Sequence, residues 1–345
     1  MRYDLTVILA IYNMQKHVRD CLESVVHQTA LDQVKLRVLC IDDGSTDGTA
    51  QILREYEQNY PWLEVHSQEN GGVSVARNSG LDLVKDSEYV TFLDPDDTWE
   101  LTYLEKVLPG MKSGADSIFF NINLVDATGA LVKKLDICPE FDQLGEEEAR
   151  RRLILSKPAS WTRIHKAELY EGNRFPVGRI YEDLALMPYV TSLSNTIYVV
   201  RDYVYNYVID VNNSIMNSSK SAIFDIYPAL DFLWEKFGDR AHSYKDELQY
   251  LMLEHLGVGQ SYRLIGFADA TTADYDRILR TLKQRFGSSW RKNKYIDAGV
   301  QKVNINSALS QVIPQFLLAL DMGLVRNTAH VTRLLNKITA RRSTT

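Results

Sequence analysis

In YVTFLDPDDT, residues 89–98, an apolar strand-like run gives way to three carboxylates within four positions: Asp94, Asp96 and Asp97. Carboxylates at i and i+2 in an irregular segment after a rigid strand can share one hard divalent cation, which takes oxygen ligands and keeps positions open for phosphate oxygens. The same residues could instead end the strand and cap a helix starting near Glu100, because Asp and Pro favour turns and helix N-termini. A second cluster, CIDDGSTDGT at 40–49, puts Asp42 and Asp43 where a strand opens into a helix, and Gly44 lets another group approach the backbone closely. It is not an EF-hand loop: counted from Asp43, position six is Gly48 as required, but position twelve is Arg54 rather than a bidentate Glu.

The elements that must position these groups are readable from periodicity. Runs at 5–11, 36–41 and 89–93 are short, apolar and rich in β-branched residues, as parallel strands covered on both faces should be. Between them, Val18, Leu22, Val25 and Val26, then Thr49, Ile52, Leu53 and Tyr56, then Val73, Ala76, Gly80, Leu83 and Val84 recur at helical spacing. This βαβ alternation predicts an open, mostly parallel sheet flanked by helices, which binds ligands beyond the carboxyl ends of its strands. Tyr12-Asn13, Asp42-Asp43 and Asp94–Asp97 all fall at those ends and mark one crevice. From about 126 to 215 the pattern loosens, and after about 220 it becomes helical, with Ile226, Leu230, Leu233, Trp234 and Phe237 on one face.

Composition narrows the function classes. The 345 residues are 45% hydrophobic and 24% charged, an ordinary balance for one large domain plus an extension. A formal net charge of −6 does not favour the phosphate attraction on which nucleic-acid binding rests. Three cysteines, Cys21, Cys40 and Cys138, match no zinc spacing and fit a reducing cytoplasm. The N-terminal run reads as a first strand rather than a signal peptide, and no segment is apolar enough to span a bilayer; 312–325 is too interrupted and reads as core. The histidines show no metal-binding spacing.

Four stretches carry a resemblance. TVILAIYN (6–13), CIDDGSTDGT (40–49), ENGGVSVARNSGL (69–81) and YVTFLDPDD (89–97) resemble, in order, the first strand, nucleotide-binding turn, glycine-arginine segment and DxD metal motif of family 2 glycosyltransferases with a GT-A fold. A weaker resemblance continues to about 215 through ASWTRIHKAEL, RFPVGRIYEDL and NNSIM. The resemblance implies a Rossmann-like nucleotide-diphospho-sugar transferase domain over 1–220, with a nucleotide-sugar-binding half at 1–125 and an acceptor-binding half at 126–220. Residues 221–345 would be a helical C-terminal extension, serving acceptor binding or self-association as a homo-oligomer.

By the same resemblance, Tyr12 would stack on the nucleotide base, with Ala10 and Asn13 beside it, while Asp42 and Asp43 accept hydrogen bonds from uracil or ribose and Arg77 helps hold the nucleotide. Asp94 would contact ribose or metal, and Asp96 would ligate Mn2+ or Mg2+ bridging the diphosphate. Asp183 of the Glu182-Asp183 pair matches the family's base for inversion at the anomeric carbon, with Glu182 its supporting neighbour; acidic residues also simply favour the positive start of a helix. Trp161 and Asp97 would face the acceptor, although Trp161 also reads as packing. The implied enzyme is a cytoplasmic, metal-dependent, inverting glycosyltransferase using a UDP-sugar donor and a glycan acceptor, lipid-linked or on a glycoprotein.

Some positions depart from the pattern. Arg163 and His165 stand where the family more often has Lys and Tyr, and Val208 and Asp210 stand where a basic residue often precedes its SI, leaving the diphosphate's far side without an assigned cation. The C-terminal Val331, Leu334, Leu335 and Ile338, with Arg333, Lys337, Arg341 and Arg342 nearby, could lie on an anionic membrane surface at the inner face of the cell membrane, or pack as a last helix. Two rivals stand beside the main reading. A haloacid-dehalogenase-like phosphatase would use Asp94 as nucleophile but leaves DDGSTDGT and ARNSG without a task, and a catalytically silent binding subunit would not need both acidic motifs. No GxGxxG follows the first strand, which disfavours a nicotinamide-dependent dehydrogenase.

Overall fold

The structure, a computed structural model, describes residues 2–137, 145–209, 220–264, 267, 269–287 and 293–297. Cys138, Asp210, NNSIM, the run 312–325 and the basic C-terminal pattern lie outside the described residues. The chain divides into two compact units, Met1–Asn213 and Ser214–Thr345.

The first unit is built on one sheet containing β1 (Tyr3–Ile11), β2 (Leu36–Asp42), β3 (Leu63–Ser67), β4 (Ser87–Phe92), β5 (Thr98–Trp99), β6 (Ser117–Val125), β7 (Leu131–Leu135), β8 (Arg163–Lys166) and β9 (Ile197–Val208). Its order is β3-β2-β1-β4-β8-β6-β9-β5, with β7 on the side of β6. The first four strands run parallel, as the apolar runs of β1, β2 and β4 predict, and every residue of β2 is buried. Beyond β4 the sheet is mixed: β8 enters antiparallel to both β4 and β6, while β6 and β9 are parallel.

Helices α1 (Val18–Val26), α2 (Thr49–Asn59) and α3 (Val73–Asp82) form where the apolar spacing places them, and α4 (Tyr103–Lys112), α5 (Glu146–Ile154) and α6 (Glu182–Ser192) follow. One core under the crevice joins Ile8, Leu39 and Ile41 of the sheet to Ala76 of α3, Phe92 of β4 and Leu186, Met187 and Val190 of α6, so burial fixes α3 and α6 against the same strands. Gly80 makes that closeness possible, because a Cβ there would lie 2.5 Å from Cγ2 of Ile8.

One expectation is corrected. Asp94–Asp97 do not cap a helix near Glu100; Thr98 and Trp99 form β5 instead, pairing with Asn206 and Tyr205 of β9, and α4 starts only at Tyr103. The pairing wins because Asp97 accepts from the Val208 backbone N–H and Glu100 N–H donates to the Val204 carbonyl, so both ends of the segment are drawn into the sheet.

The second unit is helical where described: α7 (Lys220–Ile223), α8 (Ile226–Phe237), α9 (Lys245–Met252), a wider π-type turn over Leu253–Gln260, α10 (Ser261–Leu264), α11 (Thr272–Phe286) and α12 (Lys294–Asp297). In α8, Ile226, Leu230, Leu233 and Phe237 are buried, following the periodic face read from the sequence.

Candidate active site

The crevice begins where β1 and β2 end. Asn13 takes a left-handed backbone (φ 53°) directly after Tyr12. It is held there because its Oδ1 accepts from Thr46 N–H at 2.8 Å and its own N–H donates to Ser45 Oγ at 3.0 Å. Gln15 extends the stitching, its Oε1 accepting from Gly48 N–H at 2.9 Å. Tyr12 is left 45% exposed, an aromatic face on the rim. Ala10 lies one residue inside the end of β1, paired with Ile41 and packed, half-buried, against the core.

Asp42 and Asp43 are both buried and both have protein partners. Asp42 Oδ1 accepts from Ser45 N–H at 3.0 Å and closes the turn. The Asp43 carboxylate accepts from Gly71 N–H at 3.0 Å, Gly72 N–H at 2.7 Å and Gln68 Nε2 at 2.6 Å. The two glycine N–H groups stand at the entry to α3, where an anion satisfies backbone donors and complements the helix dipole. Gly72 has φ 86°, the left-handed region that favours glycine, so the turn needs that residue for its backbone.

One turn into α3, Arg77 gathers the acidic motifs. Its Nη1 donates to Glu182 Oε1 at 2.8 Å and Asp183 Oδ1 at 3.0 Å, and its Nη2 donates to Asp94 Oδ1 at 3.1 Å. The side chain is 5% exposed and lies against the rings of Phe92 and Phe175, 5.9 and 5.4 Å from their centroids. Burial disfavours its charge, but Asp183, Asp94 and Glu182 outweigh that and hold its pKa above the ordinary value. Asn78, the next residue, exchanges two 2.9 Å hydrogen bonds with the Phe175 backbone and so fixes that ring over the guanidinium. Neither Asn78 nor Phe175 was singled out by sequence reasoning; the ARNSG run was the available signal for the first, and nothing local marked the second.

Glu182 and Asp183 open α6, and the residue before them, Tyr181, has a left-handed backbone (φ 68°) that turns the chain into the helix. Burial pushes the Asp183 carboxyl up to about 7; Glu182 and Asp94 add to the rise, while Arg77 and the Ser160 N–H oppose it. A carboxylate with that proton affinity can accept a proton near neutrality.

The third cluster can hold a metal. One oxygen from each of Asp94, Asp96 and Asp97 lies within 4.8 Å of the others. Burial drives the Asp97 carboxyl well above the usual range, with repulsion from Asp94 and Asp96 adding to it. A divalent cation would relieve that repulsion, and a donor set made wholly of hard oxygens fits Mg2+ or Mn2+. Asp97 is 1% exposed and braced on β9, its Oδ2 accepting from Tyr205 Oη at 2.7 Å and its Oδ1 from Val208 N–H at 2.8 Å. Asp96 is the exposed member.

Trp161 is 3% exposed and stacks on Tyr205 and Tyr207, at 4.5 and 5.2 Å between centroids. Across its ring and that of Tyr207 lies the Lys157 ammonium, 4.5 and 4.2 Å from the two centroids. Burial lowers the Lys157 pKa to about 8, against the pull of Asp97, Asp94 and Asp183. No sequence signal flagged this lysine, since Lys-Pro in a loop reads as a solvated turn. Arg163 and His165 are buried in β8: Arg163 donates to Thr191 Oγ1 at 2.8 Å, and His165 Nδ1 pairs with Tyr170 Oη at 3.0 Å, its charged form suppressed by burial and by Arg163.

Comparison with known proteins gives a consistent picture. Residues 6–158 match the family described as Glycosyl transferase family 2. TuaG of Bacillus subtilis, a glycosyltransferase assigned to teichuronic acid biosynthesis, is 30% identical over 220 residues, covering 63% of this chain and 83% of TuaG. Glycosyltransferase GlyA of Streptococcus pneumoniae is 30% identical over 217 residues, 59% of this chain but only 30% of GlyA, so the match spans less than a third of that relative's length. Among solved structures, S. aureus TarS 1-349 in complex with UDP-GlcNAc superposes with a TM-score of 0.66 at 18% identity, covering 90% of this chain and 92% of that one, a likeness of GT-A fold.

Proposed function

The chain belongs to glycosyl transferase family 2 and is a glycosyltransferase, and we propose that it moves a sugar from a UDP-linked donor to a hydroxyl of a cell-surface glycan, inverting the anomeric carbon with the help of Mn2+ or Mg2+. The observation that carries this reading is Arg77, whose one guanidinium ties Asp94 of the DxD loop to Glu182 and Asp183 at the start of α6. Asp94 and the Glu182-Asp183 pair, nearly ninety positions apart in sequence, thus border one space, as a transfer between donor and acceptor needs.

In the proposed mechanism, Tyr12 offers its exposed face to the base, and the turn closed by Asp42 and Asp43 shapes the nucleotide end of the crevice. Asp94, Asp96 and Asp97 hold the cation, which when bound stabilises negative charge on the departing diphosphate. Asp183 takes the proton from the acceptor hydroxyl as its oxygen attacks C1 from the face opposite the diphosphate. The new C–O bond forms as the C1–O bond to phosphate breaks, and the electron pair leaves on the diphosphate. Glu182 and Arg77 orient Asp183. In this reading Arg77 positions the base and does not itself hold the nucleotide. Trp161 forms a wall of the acceptor side and Asp97 braces that wall from below.

The phosphatase rival does not accompany membership of this family, and the assembled acidic groups favour catalysis over a silent subunit. Turnover of a panel of UDP- and GDP-sugars with Mn2+, read as nucleotide release, tests the proposal. Release from a UDP-sugar that stops in Asp183→Asn supports it. No release or binding with any donor, or full turnover in that variant, rejects it.

A further inference from the structure

We infer that Lys157 binds the donor's diphosphate, supplying the cation on the side away from the metal loop; this rests on the donor reading above and deepens it. The loop that carries Lys157 is fixed at two points. The buried Arg163 guanidinium donates to the Lys157 carbonyl, and three residues on, the Ser160 N–H faces the Asp183 carboxyl. The ammonium rests on Trp161 and Tyr207, and the stack continues through Tyr205, whose hydroxyl donates to Asp97 and accepts from the Asp94 N–H at 3.4 Å. One continuous aromatic wall therefore runs from the lysine to the DxD loop, with Asp183 beside its base.

The charges around this space are unequal. Among the described residues, Arg77 is already shared among three of the carboxylates here, Asp94, Glu182 and Asp183. Lys157 differs: among the described residues no carboxylate forms an ion pair with it, and Asp97, Asp94 and Asp183 act on it only at longer range. A cation held by ring faces is held more weakly than one bonded to phosphate oxygens, so an arriving diphosphate can draw it off the rings.

Calorimetric titration of UDP, UMP and uridine into the full chain at fixed Mn2+ tests this. Lys157→Met keeps an apolar stem on Trp161 and Tyr207 while removing the charge. We expect it to weaken UDP by about ten- to a hundredfold, the range of a charged hydrogen bond, to leave uridine unchanged, and to raise the KM for the donor. Lys157→Arg should recover most of the UDP affinity, and thermal unfolding of both variants should match that of the parent chain. Equal UDP affinity in Lys157→Met, or an equal loss for UDP and uridine, overturns the inference and leaves the donor reading standing. If neither UDP nor GDP binds the parent chain, the donor reading falls and this inference falls with it.

Discussion

At the scale of single residues, the site turns on one cation among carboxylates. Asp183 with a pKa of about 7 must lose its proton before it can accept one, so kcat/KM should rise tenfold per pH unit below about 7 and flatten above it. Asp183→Asn should cut turnover by about a hundred- to ten-thousandfold, and its thermal unfolding should show an intact fold. Arg77→Lys tests geometry at constant charge: a single ammonium cannot span Asp94 and the Glu182-Asp183 pair as two guanidinium nitrogens do. That variant should lose at least tenfold in kcat and, with half-buried carboxylates left short of a partner, about 1–3 kcal/mol of stability in urea titration. Parent-like values for both would mean that the shared contacts do not matter. Residue types at this scale were legible: every acidic group now at the site stood out in the sequence. What could not be read was their mutual engagement, since nothing in ARNSG says that its arginine faces carboxylates rather than a ligand.

At the scale of elements, α3 organises the crevice. Asp43 anchors its first turn, Arg77 links the acidic motifs from its second, Asn78 pins Phe175, and Gly80 lets it sit against β1. The stretch 69–81 is thus a structural joint as much as a ligand motif. Gly80→Ala should destabilise the chain by about 1–3 kcal/mol, despite alanine's better helix propensity, because the added Cβ meets Ile8; urea titration reads the sign directly. A stabilised variant would refute the close-contact account. Strands β1, β2 and β4 were legible because burial on both faces demands unbroken apolar runs. Two elements were not. β3 is an edge strand with one side in water, so its sequence LEVHS carries little apolar signal. The two-residue β5 exists only because β9 pairs with it, a partner more than a hundred positions away.

At the scale of the whole molecule, the first unit joins a parallel half, β1 to β4, to a mixed half that brings in α6, β8 and β9. The first half was readable from local period, whereas the second depends on β8 inserting between β4 and β6, a long-range pairing no window of sequence contains. On the proposed mechanism, a need for metal would be a property of this assembly rather than of one residue. Chelation with EDTA should abolish turnover and Mn2+ should restore it, while Asp96→Asn should demand about tenfold more Mn2+ for half-maximal rate, as one fewer anionic ligand weakens a hard-cation site. Unchanged activity after exhaustive chelation would reject a divalent cation in the reaction.

The guanidinium shared between the two acidic motifs makes cation loading and deprotonation ends of a single electrostatic seesaw. If Asp94 were to hold a cation, Arg77 would be left to Glu182 and Asp183 alone, and the base would become more acidic. On the proposed mechanism, readiness to accept a proton would be tuned by what occupies the far bank of the crevice.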